Sequence, residues 1–316
     1  MSAVVYLDQN HWVTMARARY SRGKVDVAEE LEAADAMWEL VGAGQVRLPL
    51  SSAHLVETVH GGTKERRRQL GEAMLSAYGG WHMLNPLVVR RLELIRSFES
   101  KQILTAGDVF TAAPYSPFHT YAPRLDEHEL SEPQQMAVAL SWRSAWRAVM
   151  LEETLTERDL ERTDTLIAAW ANGLGRLAQF IHENPAERDM RLVTVHHMLK
   201  DLTLDIAQAC LRAELSPAQA LQHIGPENIV NFFSGLPFLG RVMEIIQVRL
   251  RSPSDSWVNH DLNDVLFLAC AAGYADFVVA EKKTGHLLQR ADRFLGSRAQ
   301  IHLNLRSFVR KFRDVS

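Results

Sequence analysis

The sequence predicts an α/β protein whose parallel sheet is assembled from its two ends and interrupted by a long helical unit. Three observations carry this reading. Short apolar runs near both termini each lead into a helix, the chain between them has amphipathic helical periodicity, and acidic residues stand where the terminal runs end. The change of pattern divides the chain into a first core part at 1–62, an all-helical insertion at 63–251 and a second core part at 252–316.

Val4 to Leu7 reads as a strand that ends on Asp8 and feeds a helix through Gln9, Asn10, His11 and Trp12. A carboxylate at that junction is either a helix cap or a site residue. Val27, Leu31, Ala34, Trp38 and Val41 then recur at helical spacing, and Gly42 to Gly44 stops that helix. A second strand spans Gln45 to Leu50. Ser51 and Ser52 are natural caps for the next helix, Ala53 to Val59, which carries His54 and Glu57 one turn apart.

From Thr63 the pattern predicts seven helices with no strand among them: Lys64 to Ala77, Pro86 to Glu99, Pro133 to Leu151, Glu157 to Glu183, Met190 to Leu211, Pro217 to His223 and Leu236 to Leu250. One long break, Gly107 to Ser131, sets Tyr115, Phe118, His119 and Tyr121 among Pro114, Pro117 and Pro123. Its aromatics either stack on bases or pin the loop to the helices.

The stretch Trp257 to Thr284 organises the second core part. Asp261 and Asp264 are three apart, which places both carboxylates on one face of a helix's first turn, ahead of the apolar run Val265 to Ala272. Gly273 is the expected helix stop, and Asp276 to Ala280 is a strand that delivers Glu281 into Lys282 and Lys283. Asp276 begins that strand, at the end opposite Glu281, and reads as structural. A last strand, Ala299 to Leu305, precedes a basic tail helix with Arg306, Arg310, Lys311 and Arg313. Strands at about 4–8, 46–50, 276–280 and 299–305 would align their carboxyl ends, where open α/β sheets bind ligands.

A net charge of −3 over 316 residues rules out steering of a polyanion by the molecule as a whole, so any nucleic-acid surface must be a local patch. Three patches stand near the core segments: Lys64 with Arg66, Arg67 and Arg68; Lys282 with Lys283; and the tail helix. Each reads equally well as a solvated helical face. Cys210 and Cys270 lie in apolar contexts, as buried thiols of a reducing compartment do, and no Cys/His cluster has zinc spacing. With no leader-like run and no apolar stretch near the ~18 residues of a membrane span, the expected location is the cytoplasm.

Taken together, Asp8 in VVYLDQN, Glu57 in SSAHLVET, and Asp264 and Glu281 in NDVLFLACAAGYADFVVAEKK resemble the acidic signature of PIN-domain nucleases. That pattern is an Asp ending the first strand, a Glu early in the helix after the second, an Asp opening an apolar Ala-rich helix, and an acid just past the next strand. The likeness covers roughly the first 62 and last 65 residues and is silent on the insertion. It departs from the family where Ala280 precedes a Glu at the last position and where Asp261 competes with Asp264 for the third.

The resemblance implies a three-layer α/β/α PIN-like core with a parallel sheet, a large all-α insertion, and a metal-dependent endoribonuclease. Asp8, Glu57, Asp264 and Glu281 would be catalytic and, with Asp261 as a fifth, would hold Mg²⁺ or Mn²⁺. Clustered carboxylates raise one another's pKa unless a cation compensates them, and a hard divalent ion suits an all-oxygen set. Asn10, Lys282 and Lys283 would meet substrate; Asn259 and Asn263 are further candidates whose alternative role is capping. The implied partner is nucleic acid, RNA first, with a protein inhibitor or antitoxin and a homo-oligomer left open and no membrane. Two other readings stand beside this one: a non-catalytic PIN-like scaffold for protein or RNA, and a phosphohydrolase of small nucleotides. Arg191 and His196 show an Arg-x4-His spacing found in an all-helical ribonuclease family, a spacing expected by chance in a chain with 35 Lys and Arg and 13 His.

Overall fold

The computed structural model describes residues 2–60, 62–112, 131–151, 157–184, 189–252 and 255–315. The first core part contains β1 (Ala3–Leu7), α1 (Gln9–Tyr20), α2 (Ala28–Gly42), β2 (Val46–Arg47) and α3 (Ser52–His60). The middle of the chain runs α4 (Lys64–Ala77), β3 (His82–Met83), α5 (Pro86–Phe98), α6 (Ala106–Val109), β4 (Phe110–Thr111), α7 (Glu132–Leu151), α8 (Glu157–Glu183), α9 (Met190–Arg212), α10 (Pro217–Ile224), α11 (Ile229–Gly235) and α12 (Pro237–Leu250). The remainder is α13 (Asn259–Asn263), a π-helical turn (Asp264–Leu268), α14 (Ala269–Tyr274), β5 (Phe277–Val279), α15 (Lys282–Leu295), β6 (Gln300–His302) and α16 (Leu305–Val315).

The protein is mixed α/β and mostly helical, around one parallel four-stranded sheet of order β2-β1-β5-β6. Val5, Tyr6 and Leu7 of β1 pair with Phe277, Val278 and Val279 of β5, so the first strand is completed by a partner some 270 residues later. Alternation along β1 explains its unbroken apolar sequence. Val4 and Tyr6 enter one hydrophobic cluster with α5, α12 and α14, while Val5 and Leu7 enter another with α1, α2, α4 and α16. Helices therefore cover both faces of the sheet.

Two expectations need correction. Strands do occur in the middle of the chain: β3 and β4 pair antiparallel, and Leu50 bridges to His82, so the extended segment after β2 finds its partner there. Gly273 does not stop its helix, which runs on to Tyr274. A Cβ at Gly273 would lie 3.1 Å from the Pro237 carbonyl, so glycine there permits the close approach of α14 to the start of α12. The expected loop with Pro114, Pro117, Pro123 and the aromatics between them lies outside the described residues.

The helical middle is fastened to the sheet through α12, which is buried along nearly its whole length. Its amino end has no cap of its own. Instead the carboxylate of Glu93, buried on α5, accepts the Phe238 and Leu239 N–H groups at 2.6 and 3.0 Å and the Tyr274 hydroxyl at 2.5 Å. Burial pushes the Glu93 carboxyl up to about 7, opposed by these three donors. Farther along, the buried Arg241 donates to the Pro237 and Gly296 carbonyls and to Asp292, and Glu244 pairs with Arg191. This last contact gives Arg191 a structural role and sets aside the Arg-x4-His coincidence.

Among the described residues no single helix is long and apolar enough to cross a membrane; the pair α11 and α12 passes by composition but is bent by 118°.

Replacing Glu93 with Ala is expected to cost about 2–4 kcal/mol, because two helix N–H groups and a buried hydroxyl lose their acceptor. Glu93→Gln retains one acceptor oxygen and should lose clearly less. Urea unfolding of the two variants measures the difference.

Candidate active site at the carboxyl edge of the sheet

The sheet brings its carboxyl ends together at residues 8 and 281. Leu7 and Val279 are register partners, and the Asp8 N–H donates to the Val279 carbonyl at 2.9 Å. The Asp8 side chain then serves both chain segments. One carboxylate oxygen accepts the Gln9 N–H at 2.7 Å, capping α1, and the other accepts the Glu281 N–H at 3.1 Å. Cap and site residue, offered as alternatives by the sequence, are thus compatible here.

Glu57 is carried to the same edge by α3. That helix is held to the end of β1 by a buried network: His54 Nε2 donates to the Leu7 carbonyl at 2.8 Å, and His54 Nδ1 accepts the Ser51 N–H at 3.1 Å. The Tyr6 hydroxyl meets Ser51 Oγ at 2.8 Å, and the Tyr6 ring stacks on His54 with centroids 5.1 Å apart. Gln9 reaches across to Thr58 Oγ1 at 3.0 Å, tying α1 to α3. Burial drives the His54 pKa down to about 4, so the ring is neutral and fixed in one tautomer by its neighbours.

Asp264 opens the π-helical turn between α13 and α14. The extra residue in such a turn re-aims the side chains around it. Asp261 does not share its face in the way a regular helix predicts. Its carboxylate turns back to accept the Val258 N–H at 2.7 Å and an Arg249 N–H at 3.0 Å. Arg249, buried at the end of α12, also donates to Asp255 and to the Ser256 carbonyl and lies 3.8 Å above the Trp257 ring. The helical middle of the chain therefore clamps the turn that carries Asp264.

The four carboxylates lie within one another's field. Burial lifts the Glu57 carboxyl to about 8, with Asp8, Asp264 and Glu281 adding to the rise. Burial likewise lifts Asp264 to about 7, followed by Asp8, Glu281 and Asp261, against a lowering by Lys283. Asp8 is raised by burial against its two backbone donors, and the exposed Glu281 is raised by partial desolvation and by Asp8. Repulsion of this kind is relieved either by protonation or by a cation. The donors are all carboxylate oxygens, which suits a hard divalent ion. They are not drawn to one point: among the described residues no three His, Cys, Asp or Glu side chains converge closely enough to hold an ion.

Other expected site residues separate. Asn10 is exposed on the first turn of α1, and Lys282 is exposed beside Glu281 with no ion pair among the described residues. Lys283 is engaged instead, 3.0 Å from Asp255 and 3.9 Å from Asp261. The side chains of Asn259 and His260 lie outside the described set, and Asn263 lies at the end of α13. The carboxylate of Asp276 accepts the Val4 N–H at 2.7 Å at the opposite end of the sheet, a strand-pairing role. In the basic run, Arg68 bridges Glu65 and Glu72 and Arg67 donates to the Gly62 carbonyl. The tail's Arg306 and Arg313 face Glu30 and Glu39.

Sequence reasoning assigned no role to His11, His54 or Arg249. His11 is buried on the first turn of α1, its Nε2 has no hydrogen-bond partner among the described residues, and its pKa is lowered by burial against the Ala280 carbonyl, Glu30 and Glu281. A polar residue inside an apolar helical stretch, as Arg249 is, was the one available signal.

No protein-family model, curated protein or solved structure matches this chain.

A pH dependence follows from the carboxylates. Glu57 and Asp264 bind protons more tightly folded than unfolded, so their stabilising contribution is complete below their ordinary values of 4.5 and 3.8. It is lost as pH rises through about 7 and about 8. Above pH 6.5, the ordinary imidazole value, the depressed His54 contributes no further change. The melting temperature of the metal-free protein should therefore fall by several degrees between pH 6.5 and about 8, and Glu57→Gln should flatten part of that slope. Differential scanning calorimetry across the window checks this.

Proposed function

We propose that this chain is a metal-dependent nuclease with a PIN-like core, acting on RNA, in which Asp8, Glu57, Asp264 and Glu281 hold Mg²⁺ or Mn²⁺. The observation that supports the reading above all others is the junction at Asp8, whose carboxylate accepts the Glu281 N–H and whose charge adds to the rise that burial gives the carboxyls of Glu57, Asp264 and Glu281. Four acids from distant segments, in the chain order of the family's signature, lie within one another's field.

When bound, the ion supplies charge compensation, Lewis-acid stabilisation of a phosphodiester and an acidified water. The chain's own part is to place and orient. Asp8 sets the spacing between the tips of β1 and β5 through its two backbone donors. His54 fixes the helix that carries Glu57, and Arg249 with Asp261 fixes the turn that carries Asp264. Asp261 is thus a positioning residue in this reading, and Lys283 braces it. Lys282 and Asn10 remain to meet a phosphate.

One observation favours the second reading, a non-catalytic scaffold: among the described residues no three acid side chains converge, and Glu281 is exposed. Cleavage of a labelled oligoribonucleotide with and without Mn²⁺ separates the two.

Asp8→Asn and Asp264→Asn are each expected to lower cleavage at least about a thousand-fold, a loss of several kcal/mol in the barrier. Both should remain folded, since the amide that replaces the Asp8 carboxylate keeps a capping oxygen. Asp276→Asn, at the far end of the sheet, should retain cleavage and lose a little stability. Full activity in the first two variants would end the nuclease reading at these residues.

A further inference from the structure

The helix that follows Glu281 carries a second feature that the acids do not use. Lys283, His286, Arg290 and Arg293 fall on one face of α15 and line a groove of about 530 Å³ with Val248 of α12 and Leu287. Asp255 is its one acid, and that carboxylate is already compensated by Arg249 and Lys283. Arg290 and Arg293, half-exposed and exposed, make no ion pair among the described residues, whereas Lys283 on the same face is held by Asp255. Their guanidinium groups are therefore free to meet a ligand, and they match the planar, bidentate geometry of phosphate.

Position adds the direction. From Lys283 to Arg293 the helix rises about 15 Å, several times the ~3.4 Å axial spacing of phosphates along one duplex strand. The cationic row leads away from Glu281, at the edge where the acids stand.

Resting on the nuclease reading, we propose that the α15 groove is the track for the nucleic-acid backbone, with Arg290 and Arg293 as its phosphate-binding residues. The acids then act on a phosphate at the amino end of α15 while the flanking strand lies along the groove.

The test compares wild type, Arg290→Ala/Arg293→Ala and a charge-matched control on the tail helix, Arg310→Ala/Arg313→Ala, using a labelled oligouridylate with Mn²⁺. The groove variant should raise KM roughly tenfold with kcat little changed, and should reduce the slope of log affinity against log salt by about 1.4, or about 0.7 per phosphate contact on a single strand. Binding measured in an Asp264→Asn background gives the same slope without turnover, and thermal unfolding verifies that the variants fold. Unchanged KM and slope in the groove variant, or an equal loss in the tail control, would overturn the track. A wild type that binds with the groove-dependent slope but never cleaves would instead sink the nuclease reading and leave the groove standing.

Discussion

Most of this molecule depends on keeping α12 buried. Apolar faces alone would let that helix slide or rotate, but Glu93 holds its amino end, Arg241 and Glu244 tie its middle to Asp292 and Arg191, and Arg249 fixes its carboxyl end to Asp255 and Asp261. Each of these buried charges has a partner, and removing either member of such a pair leaves the other stranded at a cost well above that of an exposed salt bridge. Fold specificity and site geometry are thereby joined: the contacts that orient α12 also orient the turn bearing Asp264.

This explains why the helical middle of the chain cannot be treated only as an appendage. One hydrophobic cluster takes in Val4 and Tyr6 of β1, Val88 and Leu92 of α5, Met243 and Ile246 of α12 and Ala271 of α14. The catalytic candidates belong to the terminal segments, but the residues that hold them in place come in part from the middle.

The α/β class, all four strands and four acids at one edge were legible in the sequence, because β1 and β5 are short apolar runs that end on charge and the periodicities of strand and helix differ. Strand extent was overestimated: the run at 299–305 is a strand only at Gln300–His302, since Leu305 already begins α16. The β3–β4 pair was invisible because two-residue strands carry no period. The engagement of Asp261 could not be read from spacing, because its partner Arg249 lies twelve residues away in sequence and on another helix. His54 looked like an ordinary helical residue because its two partners, a backbone carbonyl and a backbone N–H, leave no mark on the sequence.

The pairing of β1 with β5 also sets a timetable. Asp8 leaves a ribosome more than 270 residues ahead of Glu281, so a growing chain carries at most half of its acidic cluster through most of that stretch of synthesis and cannot assemble the rest. At about 5–20 residues per second the interval lasts tens of seconds, and contacts of such long sequence separation are also the slow ones to form. On the nuclease reading, an enzyme built this way is harmless toward the message being read while it is still being made. On that same reading, cleavage waits until the last strands dock.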